Sequence, residues 1–158
     1  MPNWSIVNVA DAPAMQHEVA GASIRLIDEE HVTDVGVNIR VLQPGQPNGK
    51  YHSENVQEDF LVLSGECVLI VEGEERRLKA WDFFHCAPGT NHIIVGAGDG
   101  PCAILMAGLR GPGKELHYPV SEAAARYGAS TPDETNTPRV AYSDWNMDLK
   151  PFRAPWPL

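Results

Sequence analysis

The 158-residue chain carries 21 acidic and 12 basic residues, a formal net charge of −9, with 43% hydrophobic and 21% charged residues. That length suits one domain with a sizeable core, and that charge repels phosphate backbones, so nucleic acid and anionic membrane surfaces are excluded as partners. No run of about 18 apolar residues is present to span a bilayer, and the start has no basic region leading into an apolar run, so no signal peptide is expected.

Fourteen glycines and 13 prolines favour turns and short strands over long helices. Residues 3–9 and 22–28 are short strand-like runs separated by Pro13 and Gly21. Residues 35–42 are clearer: Val35, Val37, Ile39 and Val41 alternate with Gly36, Asn38 and Arg40, the period of a half-buried strand. Pro44, Gly45, Pro47 and Gly49 break that strand with a loop. Phe60 and Val62 then share a face with Glu58, while Leu61 and Leu63 take the other, so this strand is expected to be covered on both sides. Ser64 and Gly65 turn the chain, residues 67–71 return, residues 72–74 turn again, and residues 78–84 form another strand. A tight turn at 87–91, a strand at 92–95, a loop at 96–101 and a strand at 102–107 complete at least six short strands near ten residues apart. That pattern reads as an all-β sandwich or small barrel.

Beyond Gly108 the character changes. Ser121 suits an N-cap, Glu122 the first turn and Gly128 the end of a short helix over 123–127. Residues 129–158 hold five prolines but also Tyr142, Trp145, Phe152 and Trp156, which predicts an extended C-terminal arm laid on the barrel or on a partner subunit. Cys67, Cys86 and Cys102 sit in apolar settings without a Cys-x-x-Cys spacing, as expected of buried reduced thiols in a cytoplasmic protein.

The residues able to carry chemistry lie between positions 45 and 96. His52 and Glu54 are two apart and Glu58 is four further on, on the same face of a regular strand; His92 comes from a later strand. Antiparallel neighbours about 4.8 Å apart can bring these side chains to one point. Two imidazoles and two carboxylates, His52, Glu54, Glu58 and His92, make a ligand set for a divalent transition metal. Tyr51, Gln57, Arg40 and Gln43 are further pocket candidates. His85 and Cys86 stand outside the metal set, because Phe83 and Phe84 leave undecided which of the two points inward. His17, His31 and His117 are read as surface residues. There is no Gly-x-Ser-x-Gly, no phosphate-binding glycine loop and no helix-turn-helix segment.

The same stretch resembles the cupin superfamily, in particular its small single-domain, conserved-barrel members. His52, Glu58 and Gly65 fall at the spacing of the first cupin motif, with Glu54 where a second histidine belongs and Gly45 displaced by one. Gly89 and His92 fit the second motif, with Trp81 in place of its first glycine, Pro88 shifted by one and Gly96 in place of its asparagine. Tyr118 to Glu122 and Arg126 to Ala129 also resemble the tail of uncharacterised members. The resemblance implies a double-stranded β-helix, or jelly roll, over about residues 35–108 of a single 1–158 domain. Strands at 1–34 would precede that barrel and the helix and arm at 109–158 would follow it. It further implies a bound Zn, Mn, Fe or Ni ion, a small-molecule substrate and a homodimer. The activity is left between dioxygenase and isomerase type. The alternative is a non-catalytic small-ligand-binding module with a structural or absent metal. Leu61, Leu63, Ile93 and Val95 would lie on outer faces, where a subunit or the aromatic arm is expected to cover them.

Overall fold

A computed structural model describes residues 4–153. Twelve strands run in chain order: β1 (Ala14–His17), β2 (Gly21–Arg25), β3 (Val35–Leu42), β4 (Ser53–Glu54), β5 (Glu58–Ser64), β6 (Glu66–Val71), β7 (Glu74–Lys79), β8 (Phe83–Cys86), β9 (His92–Ala97), β10 (Cys102–Leu109), β11 (Leu116–His117) and β12 (Leu149–Pro151). Two one-turn helices, α1 (Glu122–Ala125) and α2 (Pro138–Ala141), lie between β11 and β12. Every strand pairing among the described residues is antiparallel. A seven-stranded sheet in the order β12-β1-β2-β3-β10-β5-β8 faces a three-stranded sheet β7-β6-β9, and β11-β4 form a small third sheet.

The alternation expected of β3 and β5 decides what fills the barrel. Leu42, Phe60, Val62, Cys67, Leu69, Ile94, Cys102 and Ile104 are buried together between the two main sheets. Each large apolar side chain placed there contributes about 1.5–3 kcal/mol by leaving water. Residues 67–71 are apolar on both faces because β6 is covered on both faces. On its outer side, Val68, Ile70, Ile93 and Val95 pack under Tyr51, Ala123, Ala124 and Ala129. On the outer side of the large sheet, Ala22, Ile24, Ile39, Val41 and Ala103 are joined by Leu63, Leu105 and Phe152. The chain's own ends therefore cover Ile93, Val95 and Leu63, which removes much of the apolar surface expected to need a partner.

Three local expectations are corrected. Residues 4–8 form no strand, and Val9–Asp11 is a single 3₁₀ turn capped by the Asn8 side chain. The strand expected over 78–84 is broken: Trp81 takes a left-handed φ of 74° and separates β7 from β8. His17 is buried, not a surface residue. Its Nδ1 accepts from the Val19 and Ala20 amides at 3.1 Å and its Nε2 donates to the Asn146 carbonyl. That last contact is 129 residues away in sequence and invisible to local pattern.

The C-terminal region folds back on the barrel. Ser121 Oγ accepts from Ala124 N at 3.2 Å and caps α1, and Gly128 ends that turn with φ 68°. Pro138 starts α2, where its missing N–H costs nothing. Tyr142 and Trp145 stack edge-on at 5.2 Å, Trp145 lies against His17, and β12 adds an edge strand to β1. Trp156 lies outside the described residues. No helix among the described residues is long and apolar enough to cross a membrane.

Candidate metal centre

His52 and His92 meet because their backbones form an antiparallel bridge. His92 N donates to His52 O at 2.8 Å and His52 N to His92 O at 3.2 Å. Directly opposed residues of such a pair share a face, so the rings lie 5.0 Å apart. Glu58 begins β5 and stands opposite Gly108 on one side and Cys86 on the other. Its carboxylate reaches both rings: Oε2 is 3.3 Å from His92 Nε2 and 4.0 Å from His52 Nε2. One donor atom from each of His52, Glu58 and His92 lies within 4.8 Å of the others.

Hydrogen bonding fixes how these rings present themselves. His52 Nδ1 is 2.7 Å from the Lys50 carbonyl, and His92 Nδ1 is 3.1 Å from the Thr90 carbonyl. A carbonyl only accepts, so both Nδ1 atoms are donors. Both Nε2 lone pairs are then left facing Glu58, whose buried Oε2 has no hydrogen-bond partner. Three electron-rich atoms that converge without a donor suit a cation among them. An orienting contact on the far ring nitrogen is also what metal-ligating histidines make. The residues present fit a divalent metal. Burial alone would lower the His92 pKa, but contacts with Cys86 and Glu58 outweigh it and push it up to about 10.

Glu54, expected as a fourth ligand, borders the three residues whose donor atoms lie within 4.8 Å of one another and is not among them. Its Oε1 is 3.5 Å from His52 Nε2, while Oε2 is 2.6 Å from Lys114 Nζ, off the line a hydrogen bond needs. Burial works to raise its pKa, but His52 and Lys114 win, so the carboxyl is held below its usual value. Glu54 also borders an open cleft of about 760 Å³ lined by Asn55, Lys114, His117 and Asn136. Aromatic rings also border the centre: Phe60 and Phe84 lie 5.3 and 5.8 Å from the His92 ring, and Tyr118 5.7 Å from the His52 ring.

Register settles His85 and Cys86. Cys86 pairs with Glu58 and Phe84 with Phe60, so Cys86 faces inward, its Sγ 3.3 Å from His92 Nδ1. His85 is exposed and pairs with Asp59 at 2.7 Å. Tyr51 is buried in the outer cluster, its hydroxyl accepting from Gly73 N, and Gln57 donates to Asp59, so neither joins the donors. Sequence reasoning missed Lys114 and Tyr118, which reach the centre from the segment after β10. His117 is half-buried between Asn136 and Glu134, and His31 is exposed as expected.

Residues 38–108 match the family described as Cupin domain. This segment is similar to a cupin domain. Solved structures with the same fold include a cupin-superfamily sugar phosphate isomerase from Silicibacter pomeroyi, 23% identical over 73% of this chain and 82% of that one, with a TM-score of 0.63. A polyketide cyclase from Streptomyces resistomycificus is 17% identical over 70% and 83% of the two chains, with a TM-score of 0.60. A cupin protein from Bacteroides fragilis is 26% identical over 72% and 89%, with a TM-score of 0.57. No curated protein matches the chain in sequence. Within the cupin motifs, Gly96 replaces the asparagine for a steric reason: a Cβ there would fall inside contact distance of the Gln43 carbonyl.

Proposed function

We propose that this cupin is a metal-dependent enzyme of isomerase type acting on a small organic molecule. The observation that carries the reading is Glu54: an ionised carboxylate beside three converging donors, yet not one of them. His52, Glu58 and His92 would hold the divalent ion, and three protein ligands leave positions for substrate. An ion there would polarise a carbonyl or hydroxyl oxygen of the substrate. Glu54 would accept the proton from the hydroxyl-bearing carbon next to that carbonyl and return it to the former carbonyl carbon, while the hydroxyl proton passes to the former carbonyl oxygen. Lys114 holds Glu54 in place and keeps it charged. Phe60 and Phe84 keep water from one side, while the open cleft gives the other side access.

The test is hydrogen exchange. The metal-loaded protein in D₂O, given a panel of small hydroxycarbonyl compounds, is expected to place deuterium next to the carbonyl of its substrate. Glu54→Gln is expected to abolish that exchange and keep the metal. Oxygen consumption in place of exchange would assign the dioxygenase alternative. Tight ligand binding without turnover would assign the non-catalytic binding module.

Two further readings accompany it. The 1–158 chain is taken as one cytoplasmic domain, in keeping with three free buried cysteines. It is taken as a homodimer because Phe83, 63% exposed, and Trp81, 74% exposed, flank the unpaired edge of β8, with Leu61 opposite Phe83 on β5.

A further inference from the structure

A second cavity, of about 400 Å³, opens on the concave face of the large sheet. Its lining includes Arg25, Arg40 and Arg110, with Ser23, Asn38 and one acid, Glu29. Three arginines on one wall are conspicuous in a chain of net charge −9. Glu29 meets only Arg25, at 3.3 Å in an exposed pair, which neutralises little. Among the described residues, Arg40 and Arg110 have no carboxylate partner. Arg40 Nε and Asn38 Oδ1 are buried without any hydrogen-bond partner. Burial lowers the Arg40 pKa, as expected of a guanidinium drawn out of water without a carboxylate beside it.

Register places this cavity next to the metal centre. Arg40 opposes Ile104 and Asn38 opposes Met106, and both partners belong to the inner core. Two residues further along, Gly36 opposes Gly108, and Gly108 opposes Glu58. Both glycines are room for a neighbour. A Cβ on Gly108 would sit 3.5 Å from Glu58 Oε1, and one on Gly36 would collide with Arg110 Nε. The Glu58 carboxylate therefore lies over Gly108 and the Arg110 side chain over Gly36, on neighbouring strands.

We propose that the Arg25, Arg40 and Arg110 cavity binds an oxyanion, the carboxylate or phosphate group of the substrate whose reacting end lies at His52, Glu58 and His92. The inference rests on the enzymatic reading above and narrows its substrate to a small anionic molecule. Guanidinium groups suit this task because their paired N–H donors match two oxygens of one carboxylate or phosphate.

Calorimetric titration of the full chain with inorganic phosphate and, separately, with malonate tests it, on both metal-loaded and chelator-treated protein. At least one of the two anions is expected to bind saturably to both forms. Arg110→Gln, at an exposed position, is expected to weaken that binding about tenfold or more with metal content unchanged. Gly36→Ala, which displaces Arg110 without removing its charge, is expected to act in the same direction. Phosphate alone binding assigns a phosphate group, and malonate alone a carboxylate. Saturable binding by neither anion would overturn the proposal. So would binding that Arg110→Gln leaves unchanged, or that vanishes with the metal. Arginine-dependent binding in a protein that holds no metal would sustain the anion site and overturn the metal-dependent reading instead.

Discussion

Lys50 offers the sharpest test of how the C-terminal arm is held. Its side chain is fully buried, and its ammonium donates to the carbonyls of Ser130 at 2.9 Å and Gly128 at 3.4 Å and to Asp144 at 2.8 Å, with the Trp145 ring 4.8 Å away. Its backbone N–H donates to Tyr142 Oη at 2.9 Å. Lys50→Met keeps the apolar stem and deletes the charge. Asp144 is half-exposed and can rehydrate, so its loss costs little. The two main-chain carbonyls lose charge-assisted bonds of about 1.5–3 kcal/mol each. The expected cost is about 3–5 kcal/mol. For a chain of this length that is a fall in Tm of roughly 10 °C. Thermal unfolding followed by circular dichroism at fixed pH measures it. Metal content should not change, because the Lys50 carbonyl, not its side chain, holds His52. A shift smaller than about 2 °C would refute the strap reasoning, and loss of metal from a folded Lys50→Met protein would refute the separation of arm and centre.

Two other outcomes follow from the packing. Titration under denaturing, non-reducing conditions should find three free thiols, and the native protein should react slowly, since Cys67, Cys86 and Cys102 are all buried and contact with Cys102, then burial, push the Cys67 thiol up; a single free thiol on unfolding would refute this. Light scattering during gel filtration should give twice the chain mass, and Phe83→Asp should give a monomer; a wild-type monomer would refute the homodimer.

What the sequence revealed depended on whether a residue's role was local. The alternation in β3 and the two-sided apolar character of β5 were legible, because strand periodicity is written in consecutive residues. His52, Glu58 and His92 were legible through their spacing and the motif they form. The left-handed turn at Trp81 was not, because a bulky residue at positive φ contradicts local preference and is held by tertiary contacts. The burial of His17 and Lys50 depends on residues 129 and 94 positions away, and the tie between Glu54 and Lys114 is likewise long-range. The choice between His85 and Cys86 needed the β5–β8 register, which two adjacent phenylalanines conceal. The arginine cavity is scattered over β2, β3 and the end of β10 and leaves no local pattern.

Elemental analysis of the purified protein and four variants tests the central claim most directly. One divalent transition-metal ion per chain is expected in the wild type. His52→Ala, Glu58→Ala and His92→Ala are each expected to lose it, and Glu54→Gln to retain it. A wild-type protein that takes up no metal, or ligand variants that keep all of it, would contradict the account.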